Sequence, residues 1–144
     1  MTRLIPDDIL ATLTIYAEVA NQSFECKQAV AEVIIRRMRR HYNSDGTVAG
    51  TVARRFQFST LNDDPVDNAQ LIRILQLRDD DPGVADCHLA WETKADPNAQ
   101  IDPARPELVP NAVMFCRSDT DPLPPWATPD KEVRAIGDIT FYRN

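Results

Sequence analysis

The residue whose setting most suggests chemistry is Glu18, the one charged residue in the run of twelve from Ile9 to Ala20. If this run is a helix, Thr14 and Ile15 lie on the same side as Glu18, so that side is not an ordinary charged surface. Glu18 also falls in the last helical turn, where the negative end of the helix dipole disfavours an anion. Both features are expected to raise the pKa of its carboxyl group. A carboxylic acid that keeps its proton near neutral pH is the donor that cleavage of a glycosidic bond requires.

A simpler interpretation is that Glu18 faces water. The larger apolar residues Ile9, Leu13 and Tyr16 form a stripe that we expect to be the core face of the helix, and Glu18 lies opposite its centre. Amphipathic helices commonly carry charges on the side away from the core. The sequence pattern favours chemistry without excluding the solvent-facing alternative.

The elements that would hold Glu18 in place are mainly helical. Hydrophobic periodicity and end signals predict helices over residues 6–21, 24–41, about 47–54, 66–77 and 84–94. The last part of the chain predicts a strand at 112–116, an ordered proline loop with Trp126, and a hairpin that turns at Gly137-Asp138. Helices come first and a small antiparallel sheet last, so we expect an α+β fold in a single domain, residues 1–144.

The second helix carries the clearest signals. Ser23 is placed to cap its first turn. Its core face is expected to consist of Ala29, Val30, Val33, Ile34 and Met38. The helix ends in "RRMRRH", which we interpret as a solvated helix end with cations at the negative end of the dipole.

The composition excludes several classes of protein. The chain has 144 residues, of which 43% are hydrophobic and 26% charged, as in a globular protein. Its net charge of −6 disfavours non-specific binding to nucleic acid or to an anionic membrane. Three scattered cysteines predict neither a disulfide framework nor a metal site, and we expect no cofactor. The N-terminus has no signal-peptide pattern, so we expect synthesis in a cytoplasm without an export signal.

Three blocks of the sequence resemble the SleB-type cell-wall hydrolase family. "IYAEVANQSFECKQAVAEVIIRRM" is similar to its opening motif, "RRFQFS" to its Q-F-S element, and "AVMFCRSDTDPLPPWATPDKEVRAIGDITFYRN" to its closing pattern of strand, P-x-W-A loop and hairpin. The blocks follow the family's order and span nearly the whole chain. The motif positions that differ include Ala17, Cys26 and Arg36, where the family has Gly, Gly and Asn. The family's His in the last block is replaced by Asp138 or Ile139, and the Tyr or His often found in its C-terminal strand is replaced around Phe115 and Cys116.

The resemblance implies a lysozyme-like α+β domain that cleaves the glycan strands of peptidoglycan, commonly as a lytic transglycosylase. The family's catalytic Glu corresponds to Glu18, and its Q-F-S element to Gln57, Phe58 and Ser59. Further flat faces for sugar rings are expected from Trp126 and Tyr142, whereas Trp91 is expected in the core.

A hydrolase would need a second carboxylate opposite Glu18, for which Asp63 and Asp64 are candidates, although "NDDP" is also typical of a turn. Two nearer acids have structural interpretations. Glu25 is expected to be an acid of a first helical turn, and Glu32 a solvated residue.

The biological role expected from these features is that of a phage protein acting on the cell wall or periplasmic peptidoglycan. It would be either an endolysin released late in infection or a virion component associated with other virion proteins. Because several motif positions differ, a catalytically degenerate structural subunit of a virion is the non-enzymatic alternative.

Overall fold

The computed structural model describes residues 6–53, 76–77, 81–95 and 106–144. These ranges contain four α-helices, followed by three β-strands with a short 3₁₀ helix between the first two strands. The elements are α1 (Asp7–Val19), α2 (Phe24–Arg40), α3 (Val48–Val52), α4 (Pro82–Lys94), β1 (Ala112–Arg117), the 3₁₀ helix (Pro129–Lys131), β2 (Glu132–Ile136) and β3 (Ile139–Arg143).

Helix α2 is the central element of the fold. The Ser23 hydroxyl accepts a hydrogen bond from the backbone N–H of Cys26 at 3.2 Å, which confirms the predicted cap. The helix packs against α1, α3, α4 and β1, so residues 29–38 are buried on all sides and not along one stripe. All five predicted core residues are buried, and so are most of the residues between them.

Helix α1 buries a different face from the one predicted. Ile9 is 40% exposed, whereas Ala11, Ile15 and Val19 are fully buried. The side that carries Thr14 can be buried because its hydroxyl donates to the carbonyl oxygen of Leu10 at 2.8 Å, which removes the cost of an unpaired polar group. The core face of α1 is therefore the side of the helix that carries Glu18.

Helix α4 begins at a strong start signal. The Asp81 carboxylate accepts hydrogen bonds from the backbone N–H groups of Gly83 and Val84, and Pro82 occupies the first helical turn. The helix thus starts two residues before the predicted 84–94. Trp91 is 4% exposed and belongs to the main core, as expected from the sequence.

The three strands form an antiparallel sheet in the order β1-β3-β2. Gly137 has a φ of +58°, which allows the tight turn between β2 and β3, so the predicted terminal hairpin is confirmed. Phe141 of β3 is fully buried and packs against Phe115 of β1 with ring centroids 5.7 Å apart. This packing joins the sheet to the helical core.

Two predicted segments lie outside the described residues. They are the extended "RFQFST" segment and, apart from its last two residues, the helix at 66–77. None of the helices in the described ranges combines the length and apolar composition that crossing a bilayer requires.

Candidate active site

Glu18 lies in the last turn of α1 and is partly buried. Its Oε1 atom exposes less than 1 Å² to solvent. The carboxylate therefore does not extend freely into water, because it shares the buried face of α1 with Ile15 and Val19. Glu18 therefore lies at the edge of the core.

Arg37 of α2 is a cation that interacts electrostatically with this carboxylate. It is 4% exposed, and its Nε donates to the carbonyl oxygen of Val113 in β1 at 2.5 Å. Burial lowers the pKa of Arg37 to about 10, while the charges of Tyr42 and Glu18 act in the opposite direction. Arg37 is thus cationic at neutral pH and electrostatically coupled to Glu18. Because this attraction is mutual, it favours the ionised carboxylate and opposes the effect of burial, an influence that sequence reasoning did not include.

An aromatic pair lies on the sheet side of the same arginine. Trp126, in the proline loop, packs edge-on against Tyr142 of β3 with ring centroids 5.5 Å apart. Tyr142 is 4% exposed and faces Met114 across the strands, whereas Trp126 is only partly buried. Tyr142 is therefore a buried ring against which Trp126 packs. Of the two, Trp126 is the ring that has surface available to a ligand.

A small second core connects these parts. It contains Val113, Met114, Ala127 and Tyr142, and Tyr42 packs against it. The Tyr42 hydroxyl donates to the Met114 sulfur at 3.5 Å. Arg37 donates a hydrogen bond to Val113 of this core and is attracted by the charge of Glu18 in α1. The arginine therefore interacts both with the Glu18 carboxylate and with the small core that contains Tyr142.

The remaining sequence-predicted site residues cannot be placed relative to Glu18. Gln57, Phe58 and Ser59 lie outside the described residues, as do Asp63 and Asp64. Glu25 is exposed in the first turn of α2, as expected, and pairs with Arg134 of β2 at 2.8 Å.

The prediction that Glu32 is a solvated residue is wrong. Its side chain is 0% exposed and accepts hydrogen bonds from the backbone N–H groups of Leu108, at 2.8 and 2.9 Å, and of Val109, at 3.0 Å. Lys94 of α4 forms an ion pair with it at 2.9 Å. These partners satisfy a buried carboxylate that would otherwise be very costly.

The interpretation of "RRMRRH" as a solvated helix end is wrong for its first two residues. Arg36 and Arg37 are buried, and they donate to the carbonyl oxygens of Ala112 and Val113. A signal for this was present in the sequence. The middle of α2 is apolar on every side, which is typical of a helix enclosed by its neighbours, so its charged residues also have to be buried.

The thiols are unsuited to nucleophilic chemistry. Burial raises the pKa of Cys26 to about 12 and that of Cys87 to about 11. Both therefore remain protonated at neutral pH and are weak nucleophiles. Among the residues that the structure describes, no three His, Cys, Asp or Glu side chains are grouped to hold a metal ion.

Comparison with known proteins identifies the family. The model of the family described as Cell Wall Hydrolase matches residues 21–142, most of the chain. The chain belongs to the cell wall hydrolase family. The SleB-type family predicted from the three sequence blocks is confirmed, and with it the prediction of a cell-wall-cleaving enzyme. The matched segment begins three residues after Glu18, so the role of Glu18 itself stays a prediction.

A solved structure shows the same fold. It is the catalytic domain of the germination-specific lytic transglycosylase SleB from Bacillus anthracis, with a TM-score of 0.66 and 19% sequence identity, over 99% of this chain and 100% of that chain. The predicted lysozyme-like α+β fold of this cell wall hydrolase is thereby confirmed. A search of curated proteins finds no match.

Proposed function

We propose that this cell wall hydrolase cleaves peptidoglycan glycan strands as a lytic transglycosylase, with Glu18 as acid and then base. The observation that carries the proposal is the position of Glu18: a partly buried carboxylate at the end of α1, coupled to the buried Arg37. A group that first donates and then accepts a proton has to be available in both its protonated and its ionised form. Burial favours the protonated form of Glu18 and the charge of Arg37 favours the ionised form, so neither dominates too strongly.

The reaction follows from one carboxyl group. Protonated Glu18 donates to the oxygen that bridges N-acetylmuramic acid and N-acetylglucosamine, and the bond from that oxygen to the anomeric carbon breaks. The Glu18 carboxylate then accepts the proton of the muramic acid 6-hydroxyl, and this oxygen closes on the anomeric carbon. The products are a free 4-hydroxyl and a 1,6-anhydro end. Arg37 supports the first half of the reaction, because its charge stabilises the carboxylate that forms when Glu18 gives up its proton.

The nature of the new ends tests this chemistry. We expect the purified protein to clear a murein zymogram and mass spectrometry to find 1,6-anhydromuramic ends on the released fragments. Reducing ends would instead indicate hydrolysis. That would require a second carboxylate about 5–5.5 Å from Glu18 for retention, or about 6.5–9.5 Å for inversion. Asp63 and Asp64 remain the candidates from sequence for that alternative.

Trp126 is proposed to stack against a sugar ring of the strand. We expect Trp126→Ala to raise KM for soluble glycan fragments about fivefold to tenfold with little change in kcat, because stacking holds the substrate without acting on the reacting atoms. Trp126→Phe is the matched control, since it keeps a flat apolar face, and it should retain most of the affinity. If Trp126→Ala binds fragments as well as the parent protein, Trp126 has no role in substrate binding.

The finer biological role remains a proposal from the sequence. We propose a phage lysin, either free or carried in a virion, and mass spectrometry of purified particles distinguishes the two. The non-enzymatic alternative is a degenerate structural subunit of the virion. It predicts no clearing of murein by the parent protein.

A further inference from the structure

A polar cavity lies beside the C-terminal half of α2. It has a volume of about 380 Å³ and is lined by Arg36, Arg39, Arg40, Glu107 and Asn111. Three arginines and one glutamate give this lining a net charge of +2, although the whole chain carries −6. We call these five residues the arginine pocket. A cationic cavity on an acidic protein favours an anionic ligand.

One of the three guanidinium groups is committed to the fold. Arg36 is 3% exposed and donates to the Ala112 carbonyl oxygen at 2.6 Å and to the Glu107 carboxylate at 2.9 Å. Arg36 therefore fixes the base of the pocket, and Glu107 balances its charge.

The other two guanidinium groups keep donors available. Arg40 is exposed and donates from Nη2 to the Asn111 side chain at 2.7 Å. Arg39 is also exposed and forms no hydrogen bond or ion pair with any residue that the structure describes. Each guanidinium has five N–H donors in a planar fork that matches a carboxylate. Arg39 and Arg40 can thus receive an incoming anion without losing a contact of the fold.

We propose that the arginine pocket binds a carboxylate of the peptide stem attached to the glycan strand. This inference rests on the proposed function, because it assigns a second contact to the same substrate. Arg36 and Arg37 donate to the successive residues Ala112 and Val113 of β1. The arginine pocket and the Glu18 side of α2 are therefore connected through the start of one strand. Stem peptides carry several carboxylates close to the sugar chain, so a strand held at Glu18 brings anions of the kind that exposed guanidinium groups bind.

The test compares two substrates that differ only in the stems. One is peptidoglycan purified free of teichoic acid, and the other is the same glycan after an amidase has removed its peptides. We expect Arg39→Gln/Arg40→Gln to lower kcat/KM on the stem-bearing substrate about tenfold, since charge-assisted hydrogen bonds are lost. On the stem-free glycan, kcat/KM of the variant should stay within about twofold of the parent's value. The loss of kcat/KM on the stem-bearing substrate should become smaller as the salt concentration is raised.

The control is Arg117→Gln, which removes an exposed positive charge at the opposite end of β1. It should leave kcat/KM on both substrates unchanged. An equal loss by the pocket variant on both substrates, or no loss on either, overturns the proposal while the proposed function survives. Calorimetry of a soluble stem tetrapeptide with the parent protein and the pocket variant tests the pocket without catalysis. If the parent cleaves neither substrate, the proposed function fails, and equal binding of the peptide by both proteins would reject the pocket as well.

Discussion

Glu18→Gln is expected to reduce the rate of peptidoglycan cleavage by about 10²–10⁴-fold, the usual contribution of a positioned general acid or base. The substitution keeps the shape of the side chain but removes its capacity to donate a proton to the bridging oxygen and to accept one from the 6-hydroxyl. Because both halves of the reaction depend on the same group, the larger end of that range is expected. The measurement is the rate of release of soluble fragments from purified murein.

The matched control is Glu25→Gln, an identical substitution of an exposed acid at the start of α2. It should keep the parent's rate, since Glu25 pairs with Arg134 and is turned toward the sheet. Sedimentation with insoluble murein should show that Glu18→Gln still binds its substrate. A Glu18→Gln protein that releases fragments as fast as Glu25→Gln would show that Glu18 is not the acid.

Much of the architecture follows from local sequence signals. The Ser23 cap and the Asp81 cap act within one turn of helix, and the Gly137 turn needs only its own backbone freedom. Such signals depend on residues a few positions apart, so a single sequence contains them. The start of α2 and the terminal hairpin were predicted for this reason, whereas the start of α4 was predicted two residues late because the Asp81 cap was not recognised.

The direction of a buried face is harder to predict, because it depends on neighbours that are distant in sequence. The large side chain of Ile9 suggested a core face for α1, but the structure buries Ala11 and Ile15 instead. Small residues on that side let α1 pack closely against other helices. Thr12 and Thr14 donate their hydroxyl groups to backbone carbonyl oxygens one turn earlier, so neither brings an unpaired hydroxyl into the core. Because the buried face of α1 is the one that carries Glu18, this residue lies at the edge of the core. The wrong prediction of the α1 core face therefore hid the observation that best supports Glu18 as the candidate acid.

Buried charges could not be recognised one residue at a time. Glu32 and Arg36 are buried and Arg40 is exposed, yet the three are evenly spaced by four residues along α2, a pattern that equally suits a solvated helix surface. Apart from Lys94, which pairs with Glu32, their distant partners are backbone groups and side chains at 107–112, more than 70 positions away. Only the tertiary fold shows that α2 fixes the segment entering β1 through these side chains.

Glu32→Gln is expected to lower the free energy of unfolding by about 3–5 kcal/mol, the usual cost of removing one partner from a buried ion pair. The amide leaves Lys94 buried without a compensating negative charge, whereas Arg36 keeps its ion pair with Glu107. The amide also has one acceptor oxygen for the backbone N–H groups of Leu108 and Val109, whereas the carboxylate has two acceptor oxygens. For a chain of this size the midpoint of thermal unfolding should fall by roughly 6–20 °C. Urea titration with an unchanged m-value is the measurement.

Glu25→Gln again supplies the comparison, because it removes an acid from the same helix with an ion pair of similar length, 2.8 Å to Arg134. That pair is exposed, so its loss should cost at most about 1 kcal/mol. Equal effects of the two substitutions would contradict a specific role for the buried carboxylate. The consequence extends to the candidate site, since Glu32 holds the chain at Leu108 and Val109, just before the strand that carries the Arg37 acceptor Val113. A Glu32→Gln protein that still folds should therefore lose peptidoglycan cleavage at temperatures where Glu25→Gln retains it, because the link from β1 to Arg37 and Glu18 depends on that anchor.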